Sequence, residues 1–299
     1  MNSELVDIVR QHCVELSPRP TDVAPELNPL PGIKAVLFDI YGTLLISAAG
    51  DITLQSGTSS NDAFQTALIV CGVSANVAES VSVELLHATI EQHKRVARQH
   101  GSESPEVDIV NVWRDVLQQI SDAADLPPEQ LDGVNASRLA TAYEVRTNPV
   151  WPMPDIGPCL ADLRNRGLLL GVVSNAQEMT PQLFPALLNS SLEELGFAPE
   201  LQFYSYKFKE SKPGRRMFDA AVIALKTRGI LPAETLFIGN DMLNDVWAAA
   251  RSGFRTVLFA GDSRSLRQRS DRLECQTSPP DAVITALSQL SECLGPQTL

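Results

Sequence analysis

Asp39 closes a run of four apolar residues, Ala35-Val36-Leu37-Phe38, and is followed by Ile40-Tyr41-Gly42-Thr43. A carboxylate at the end of a buried strand can attack a phosphoryl or carbon centre and form a covalent ester, provided that other groups offset its charge. The alternative is an aspartate that only caps the turn after the strand, a role that suits Asp well. Three further polar groups follow apolar runs or stand close to them: Ser174-Asn175, Lys212 before Pro213, and Asn240-Asp241 with Asp245. Taken singly, each has a plainer reading. Ser and Asn cap helices and turns, a lysine before proline is commonly solvated, and Asp241 and Asp245 at i and i+4 would suit the first turn of a helix, where the dipole favours acids.

What would make these groups neighbours is the order of the elements that carry them. The short apolar runs at 35–38, 168–173 and 235–238 read as strands buried on both faces, and such strands belong to parallel sheets. Further strands are expected at 201–206, 256–259 and 282–284. Helical stretches alternate with them: one to Arg166, stopped by Gly167; one over about 180–195; one from Lys212-Pro213 through Ala224; one to Ser252, stopped by Gly253; and one to about Cys293. This alternation predicts an α/β fold with a doubly wound, Rossmann-like parallel sheet, and the carboxyl ends of its strands share one edge. Asp39, Ser174-Asn175, Lys212 and Asn240-Asp241-Asp245 should converge there.

The flanking and inserted segments have their own signatures. Residues 3–16 carry helical spacing (Leu5, Ile8, Val9, Cys13, Leu16), and 17–32 hold five prolines and no regular period, so 1–32 read as a helical arm and linker. Residues 33–47 and 148–299 would form the core. Between them, 48–147 begin rich in Ser, Gly and Thr and then turn helical, with helix starts at Ser59 or Ser60 and at Ser104-Pro105-Glu106. The proline-rich stretch 148–155 reads as the hinge that returns the chain to the sheet.

Composition narrows the function. An apolar fraction of 44% over 299 residues fits a soluble globular protein, and a net charge of -12 repels nucleic acid and anionic membrane surfaces alike. The N-terminal residues lack the basic and apolar regions of a secretory signal, and no apolar run approaches membrane-spanning length. The five cysteines are scattered without metal-ligand spacing, which points to a reducing, cytoplasmic compartment.

The segments FDIYGTLL, VVSNA, SKPG and FIGNDMLND, in this order, resemble the four motifs of the haloacid dehalogenase superfamily of phosphatases and dehalogenases, over about residues 32–290. The resemblance implies that Asp39 is the nucleophile, that the backbone carbonyl of Tyr41 binds Mg2+ and that Thr43 orients the turn. Ser174 would hydrogen-bond a transferring phosphoryl oxygen with support from Asn175. Lys212 would neutralise Asp39 and the phosphoryl oxygens, and the last motif would hold the metal. A carboxylate and a phosphate repel one another, so a cation with oxygen ligands and a lysine between them also make physical sense. The helical insert would then be an α-helical cap over the site.

Two positions depart from the phosphatase pattern. Tyr41 stands where most phosphatases of the superfamily have an aspartate that serves as general acid and base. The dehalogenase branch has Tyr there and needs no metal, but it resembles enzymes with an arginine early in the cap, and this chain has no Lys or Arg between Lys34 and Lys94. Asn240 takes the first acidic place of the last motif. Either Asp241 joins Asp245 at the metal, or Asn240 binds through its carbonyl oxygen and Asp245 acts through water. His87, Glu91, Lys94, Arg95 and Arg98 share a helical face that reads as solvated, Trp113 and Trp151 as packing residues, and Arg264, Arg267, Arg269 and Arg272 as partners of the acidic surface. The favoured reading is a magnesium-dependent hydrolase of a small phosphate monoester. A 2-haloacid dehalogenase acting on a halogenated molecule, and a catalytically weak relative that binds a ligand or partner, are the alternatives.

Overall fold

A computed structural model of the chain describes residues 2–49, 58–123 and 134–295. Its strands are β1 (Ala35–Phe38), β2 (Leu45–Ser47), β3 (Val150–Pro152), β4 (Leu169–Ser174), β5 (Phe197–Tyr204), β6 (Thr235–Gly239), β7 (Arg255–Phe259) and β8 (Ala282–Ile284). Six of them form a parallel sheet in the order β5-β4-β1-β6-β7-β8. β1 lies at its centre, with Ala35 opposite both Leu169 and Thr235. The two-residue period of a strand sends Val36 and Phe38 into one hydrophobic core, and Ala35 and Leu37 into another on the opposite face. Both faces are covered, so the run has no polar position.

The helices are α1 (Ser3–His12), α2 (Thr58–Val70), α3 (Ala75–Glu79), α4 (Val83–Gln99), α5 (Ile109–Ala123), α6 (Ala136–Thr147), α7 (Ile156–Asn165), α8 (Leu183–Leu188), α9 (Ser205–Phe208) and α10 (Arg216–Thr227), with shorter turns beyond. α7 buries Ile156, Leu160 and Leu163 on the Phe38 face, and α10 buries Met217, Phe218 and Leu225 on the Leu37 face. The prolines of the return segment do not prevent pairing: β3 runs antiparallel to β2 as a two-stranded ribbon, with Leu45 opposite Pro152 and Ser47 opposite Val150. This ribbon brackets the helices α2 to α6. They pack around their own core, where Phe64 stacks on Trp113 at 5.5 Å and Tyr143 meets both rings edge-on. Trp151, on β3, packs against the main core.

Several elements differ from their sequence expectations. No helix starts at Ser104-Pro105, because this stretch is tied to the sheet domain: the Ser104 carbonyl accepts from Ser211 N at 2.9 Å and Pro105 pairs with Glu210. α5 begins instead at Ile109, with Asp108 Oδ1 accepting from Asn111 N at 3.3 Å. The helix expected over 180–195 ends at Leu188, where Asn189 turns left-handed at φ 53°. α10 starts at Arg216 rather than at Pro213, and the Glu210 carboxylate accepts from Arg216 N at 2.9 Å. The loop expected after Ser47 falls largely outside the described residues.

α1 is shorter than its apolar spacing suggests and is not a free arm. Leu5, Val6, Val9 and Cys13 are buried, with Val6, Val9 and Cys13 in the main core. Arg10 donates to the carbonyls of Ala186 at 3.1 Å and Pro185 at 2.9 Å, and to Asn189 Oδ1 at 3.0 Å. On its other flank Glu4 pairs with Arg138 at 2.9 Å and His12 Nε2 lies 2.7 Å from Arg146 Nη2. α1 therefore joins α6 of the helical insert to α8 of the sheet domain. Val9→Asp, which buries a charge without a partner, is expected to lower stability by about 3 kcal/mol or more, whereas the exposed Glu15→Ala changes it by less than about 0.5 kcal/mol; urea denaturation checks both.

Candidate active site

The carboxyl edge of the sheet gathers the polar groups. Asp39 follows β1 directly, Ser174 ends β4, and Asn240 follows β6; all are buried. Lys212, carried on the loop before α10, reaches beneath them. Its Nζ donates to Asp39 Oδ1 at 2.7 Å, to Asp245 Oδ1 at 2.5 Å and to the Val173 carbonyl at 3.2 Å. Ser174 Oγ donates to the same Asp39 oxygen at 3.0 Å. Asp39 Oδ2 accepts no hydrogen bond among the described residues, so one oxygen is held and the other faces outward. The amide of Asn175 holds the main chain of Lys212, with Oδ1 accepting from its N–H at 2.7 Å and Nδ2 donating to its carbonyl at 3.4 Å.

Two glycines allow this closeness. A side-chain carbon on Gly239 would collide with the Asp245 carboxylate, and one on Gly42, which has φ 84°, would lie 2.5 Å from Ser265 Cβ. The turn after β1 can therefore lie against the loop after β6, where Thr43 Oγ1 donates to Asn240 Oδ1 at 3.1 Å and Asn240 Nδ2 donates to the Ser265 carbonyl at 2.6 Å. Asp241 is engaged elsewhere. Its Oδ1 accepts from Leu243 N and Asn244 N, and its Oδ2 pairs with Arg269 at 2.7 Å, so it starts the following helical turn as an acid in that position would. Asp245 Oδ2 accepts from Asp241 N at 2.9 Å.

A family model described as haloacid dehalogenase-like hydrolase matches residues 33–253, which include Asp39, Thr43, Ser174, Asn175, Lys212, Asn240, Asp241 and Asp245. The chain belongs to the haloacid dehalogenase-like hydrolases. Among curated relatives, a glyceraldehyde 3-phosphate phosphatase of Methanopyrus kandleri is 24% identical over 243 residues, covering 80% of this chain and 89% of that protein. Another of the same name, from Methanothermobacter thermautotrophicus, is 26% identical over 158 residues, covering 52% of this chain and 64% of that one. Among solved structures, a 2-haloacid dehalogenase from Pseudomonas syringae pv. Tomato DC3000 superposes with a TM-score of 0.57 at 23% identity, covering 86% of this chain and 96% of that one. This last likeness shows the shared fold.

In this haloacid dehalogenase-like site the edge of the sheet and the helical insert enclose a cavity of about 660 Å³, lined by Asp39, Tyr41, Asn175, Lys212, Asn240 and Asp245 from below. From the insert come His87, Glu91 and Lys94 of α4, Glu106, Tyr143 and Glu144, so three of the five residues of the polar face on α4 line the cavity instead of merely facing solvent. The Arg264–Arg272 cluster divides: Arg264 pairs with Asp262, Arg269 with Asp241 and Arg272 with Glu274, while Arg267 lines the cavity. The cavity is closed on one side by contacts that the sequence did not signal. Glu106 accepts from Ser205 Oγ at 2.7 Å, and Gln177 Oε1 accepts from Ile109 N at 3.1 Å. Nothing in the residue type singles out Glu144; its spacing of four from the hinge residue Asn148 is the only cue.

The oxygen atoms at the edge suit a hard cation. Asp39 Oδ2 and the Tyr41 carbonyl accept no hydrogen bond among the described residues, Asn240 offers an amide oxygen, and Ser265 Oγ, buried beside it, has no partner. Among the described residues no three His, Cys, Asp or Glu side chains are grouped as a ready-made site, so main-chain and amide oxygens and water would complete the coordination. Burial lowers the affinity of Lys212 for its proton, but the charges of Asp245 and Asp39 outweigh that and hold the ammonium above its ordinary value. Burial, aided by Asp39 and Asp241 and opposed by Lys212, pushes Asp245 up to about 7. The Tyr41 phenol, which shares a hydrogen bond with Thr180 Oγ1 at 3.0 Å, is raised by burial and by the charge of Glu144, so it keeps its proton. Burial also pushes Glu144 up to about 7, opposed by a hydrogen bond from Asn148.

Two outcomes follow from these charges. Lys212→Ala leaves two buried carboxylates without their cation and is expected to lower stability by about 3–5 kcal/mol at pH 8; the loss shrinks toward pH 5 as the carboxylates take up protons, measured by urea denaturation. Glu144 binds its proton more tightly in the folded chain than in the unfolded one, so its contribution is complete below the ordinary carboxylate range and is lost as pH rises to about 7. Glu144→Gln removes that decline, and the stability of the variant relative to the wild type should increase across this interval.

Proposed function

We propose that this hydrolase is a magnesium-dependent phosphatase that cleaves a small phosphate monoester through an aspartyl-phosphate on Asp39. The observation that carries the reading is the held carboxylate of Asp39: Lys212 and Ser174 fix Oδ1, and Oδ2 is open to the cavity. The phosphatase names of the two curated relatives support it. Asp39 Oδ2 attacks phosphorus as the P–O ester bond breaks and the alkoxide leaves, taking a proton from a water molecule to become the alcohol; water then attacks the acyl phosphate, releasing inorganic phosphate and restoring the carboxylate. Lys212 offsets the charge of nucleophile and phosphoryl oxygens at both steps, and the Ser174 hydroxyl is placed to donate to a phosphoryl oxygen.

Magnesium would be held by the Asp39 carboxylate, the Tyr41 carbonyl and the Asn240 amide oxygen, with Asp245 acting through water, and would supply further positive charge between carboxylate and phosphate. Asp241 is bound to Arg269 and the turn that follows it, which favours Asn240 for the ligand role. Tyr41 is a poor acid for the leaving oxygen, because burial raises the affinity of its phenol for the proton and its hydroxyl is shared with Thr180. The insert, residues 48–147, acts as a cap that excludes bulk water while the acyl phosphate exists. No helix among the described residues is long and apolar enough to cross a membrane, and all five cysteines are free and buried, which supports a reducing, cytoplasmic setting.

The test is phosphate release from an aryl phosphate. Release that requires magnesium and falls by about 1000-fold or more in Asp39→Asn is expected. Halide release from a 2-haloacid without magnesium, with no phosphate release, would transfer the assignment to a dehalogenase.

A further inference from the structure

On the insert's side of the cavity the basic side chains in the lining are His87 and Lys94. Lys212 is engaged by Asp39 and Asp245, and Lys94 lies 3.6 Å from Glu91 and also within the field of Glu106. Arg267 belongs to the loop between β7 and β8; its N–H donates to the Asn240 carbonyl and its guanidinium to the carbonyls of Arg264 and Leu266, so it stands at the phosphoryl end. The insert instead contributes three carboxylates to the lining, Glu91, Glu106 and Glu144. Glu106 is taken up by Ser205 and Val107, and Glu91 by Lys94 and Arg98.

Glu144 differs from both. Among the described residues it has no basic partner, and a hinge residue aims it: Asn148 Oδ1 accepts from Ser47 Oγ at 2.8 Å and from Ala49 N at 3.1 Å, which turns Nδ2 toward Glu144 Oε1 at 3.4 Å. Glu144 Oε2 has no hydrogen-bond partner among the described residues and is not sealed from the cavity. A carboxylate with one oxygen fixed and the other open, beside Tyr41 and Tyr143, is a hydrogen-bond acceptor that waits for a donor. Once Glu144 is ionised, above about pH 7, an anionic group there would meet its negative charge, whereas a hydroxyl would satisfy it.

We infer that Glu144 is a specificity-determining residue that accepts a hydrogen bond from a hydroxyl of the substrate's alcohol portion, so that the site selects uncharged, hydroxylated monophosphates over carboxylated or doubly phosphorylated ones. This rests on the phosphatase reading. Ordinary rules of recognition set the size of the effect: a site built to hydrogen-bond a hydroxyl rejects the analogue that lacks it, because the buried acceptor is then left unpaired.

Four probes test it: an aryl phosphate, glycerol 3-phosphate, propyl phosphate and 3-phosphoglycerate. In the wild type at pH 8, where Glu144 is ionised, kcat/KM for glycerol 3-phosphate should exceed that for propyl phosphate and that for 3-phosphoglycerate by about tenfold or more, the weight of one hydrogen bond to a charged group. Both ratios should contract several-fold in Glu144→Gln and in Glu144→Leu, with the change in the first carried by KM for the glycerol ester. A variant that lost activity through misfolding would lower all substrates together and leave the ratios alone. If the aryl phosphate is hydrolysed but the glycerol-to-propyl ratio is near one, or is the same in wild type and both variants, the inference fails and the phosphatase reading stands. If no phosphate is released from any probe, both fail.

Discussion

Everything at the sheet edge depends on one buried ammonium. Lys212 lies between Asp39 and Asp245 with contacts of 2.7 and 2.5 Å, and its side chain is 2% exposed. Two carboxylates this close in a medium of low dielectric would not both stay ionised without it, and the lysine would lose its proton without them. The surrounding structure keeps the three in place: Asn175 holds the Lys212 main chain at both ends, Gly239 makes room for Asp245, and the open turn at Gly42 lets the first and last motifs meet. The parallel sheet brings these groups together from positions as far apart in the chain as Asp39 and Asp245.

The second organising feature is the way the helical insert sits on that edge. The β2–β3 ribbon carries its entry and exit, the 104–109 stretch binds Glu210, Gln177 and Ser205, and α1 joins α6 to α8 from the far side. Three separate attachments fix the cavity's shape, and Asn148 transmits the position of the ribbon to the Glu144 carboxylate. A single hinge would allow rotation; the additional contacts of α1 and of Glu106 must break before the insert can move as a unit.

The sheet and the convergence of polar groups around Asp39 were legible because they rest on local rules. An apolar run ending in Asp, Ser or Gly-Asn-Asp reads as a buried strand with a polar group at its carboxyl end, and the order of three such runs with Ser211-Lys212-Pro213 before the last carries the resemblance to the family. Features that depend on tertiary contact were not legible. Pro105 resembled a helix start, yet the backbone of Ser104 is hydrogen-bonded to the sheet domain. The polar face of α4 looked solvated because helical spacing says which residues share a face, not what the face meets. Glu144 carried no motif at all; its significance arises from burial and from the hinge amide beside it. Asp241 and Asp245 looked equivalent in sequence, and only the side-chain partners separate the one that caps a turn from the one that joins Lys212.

The central claim is that the outward oxygen of Asp39 becomes covalently phosphorylated. Acid-quenched turnover of a phosphate monoester in the presence of magnesium, followed by mass spectrometry of the peptide that contains Asp39, measures this directly. A phosphoryl adduct on Asp39 that appears during turnover and decays when substrate is exhausted is the predicted result. Sustained phosphate release with no adduct on Asp39, or with the adduct on another side chain, would contradict it.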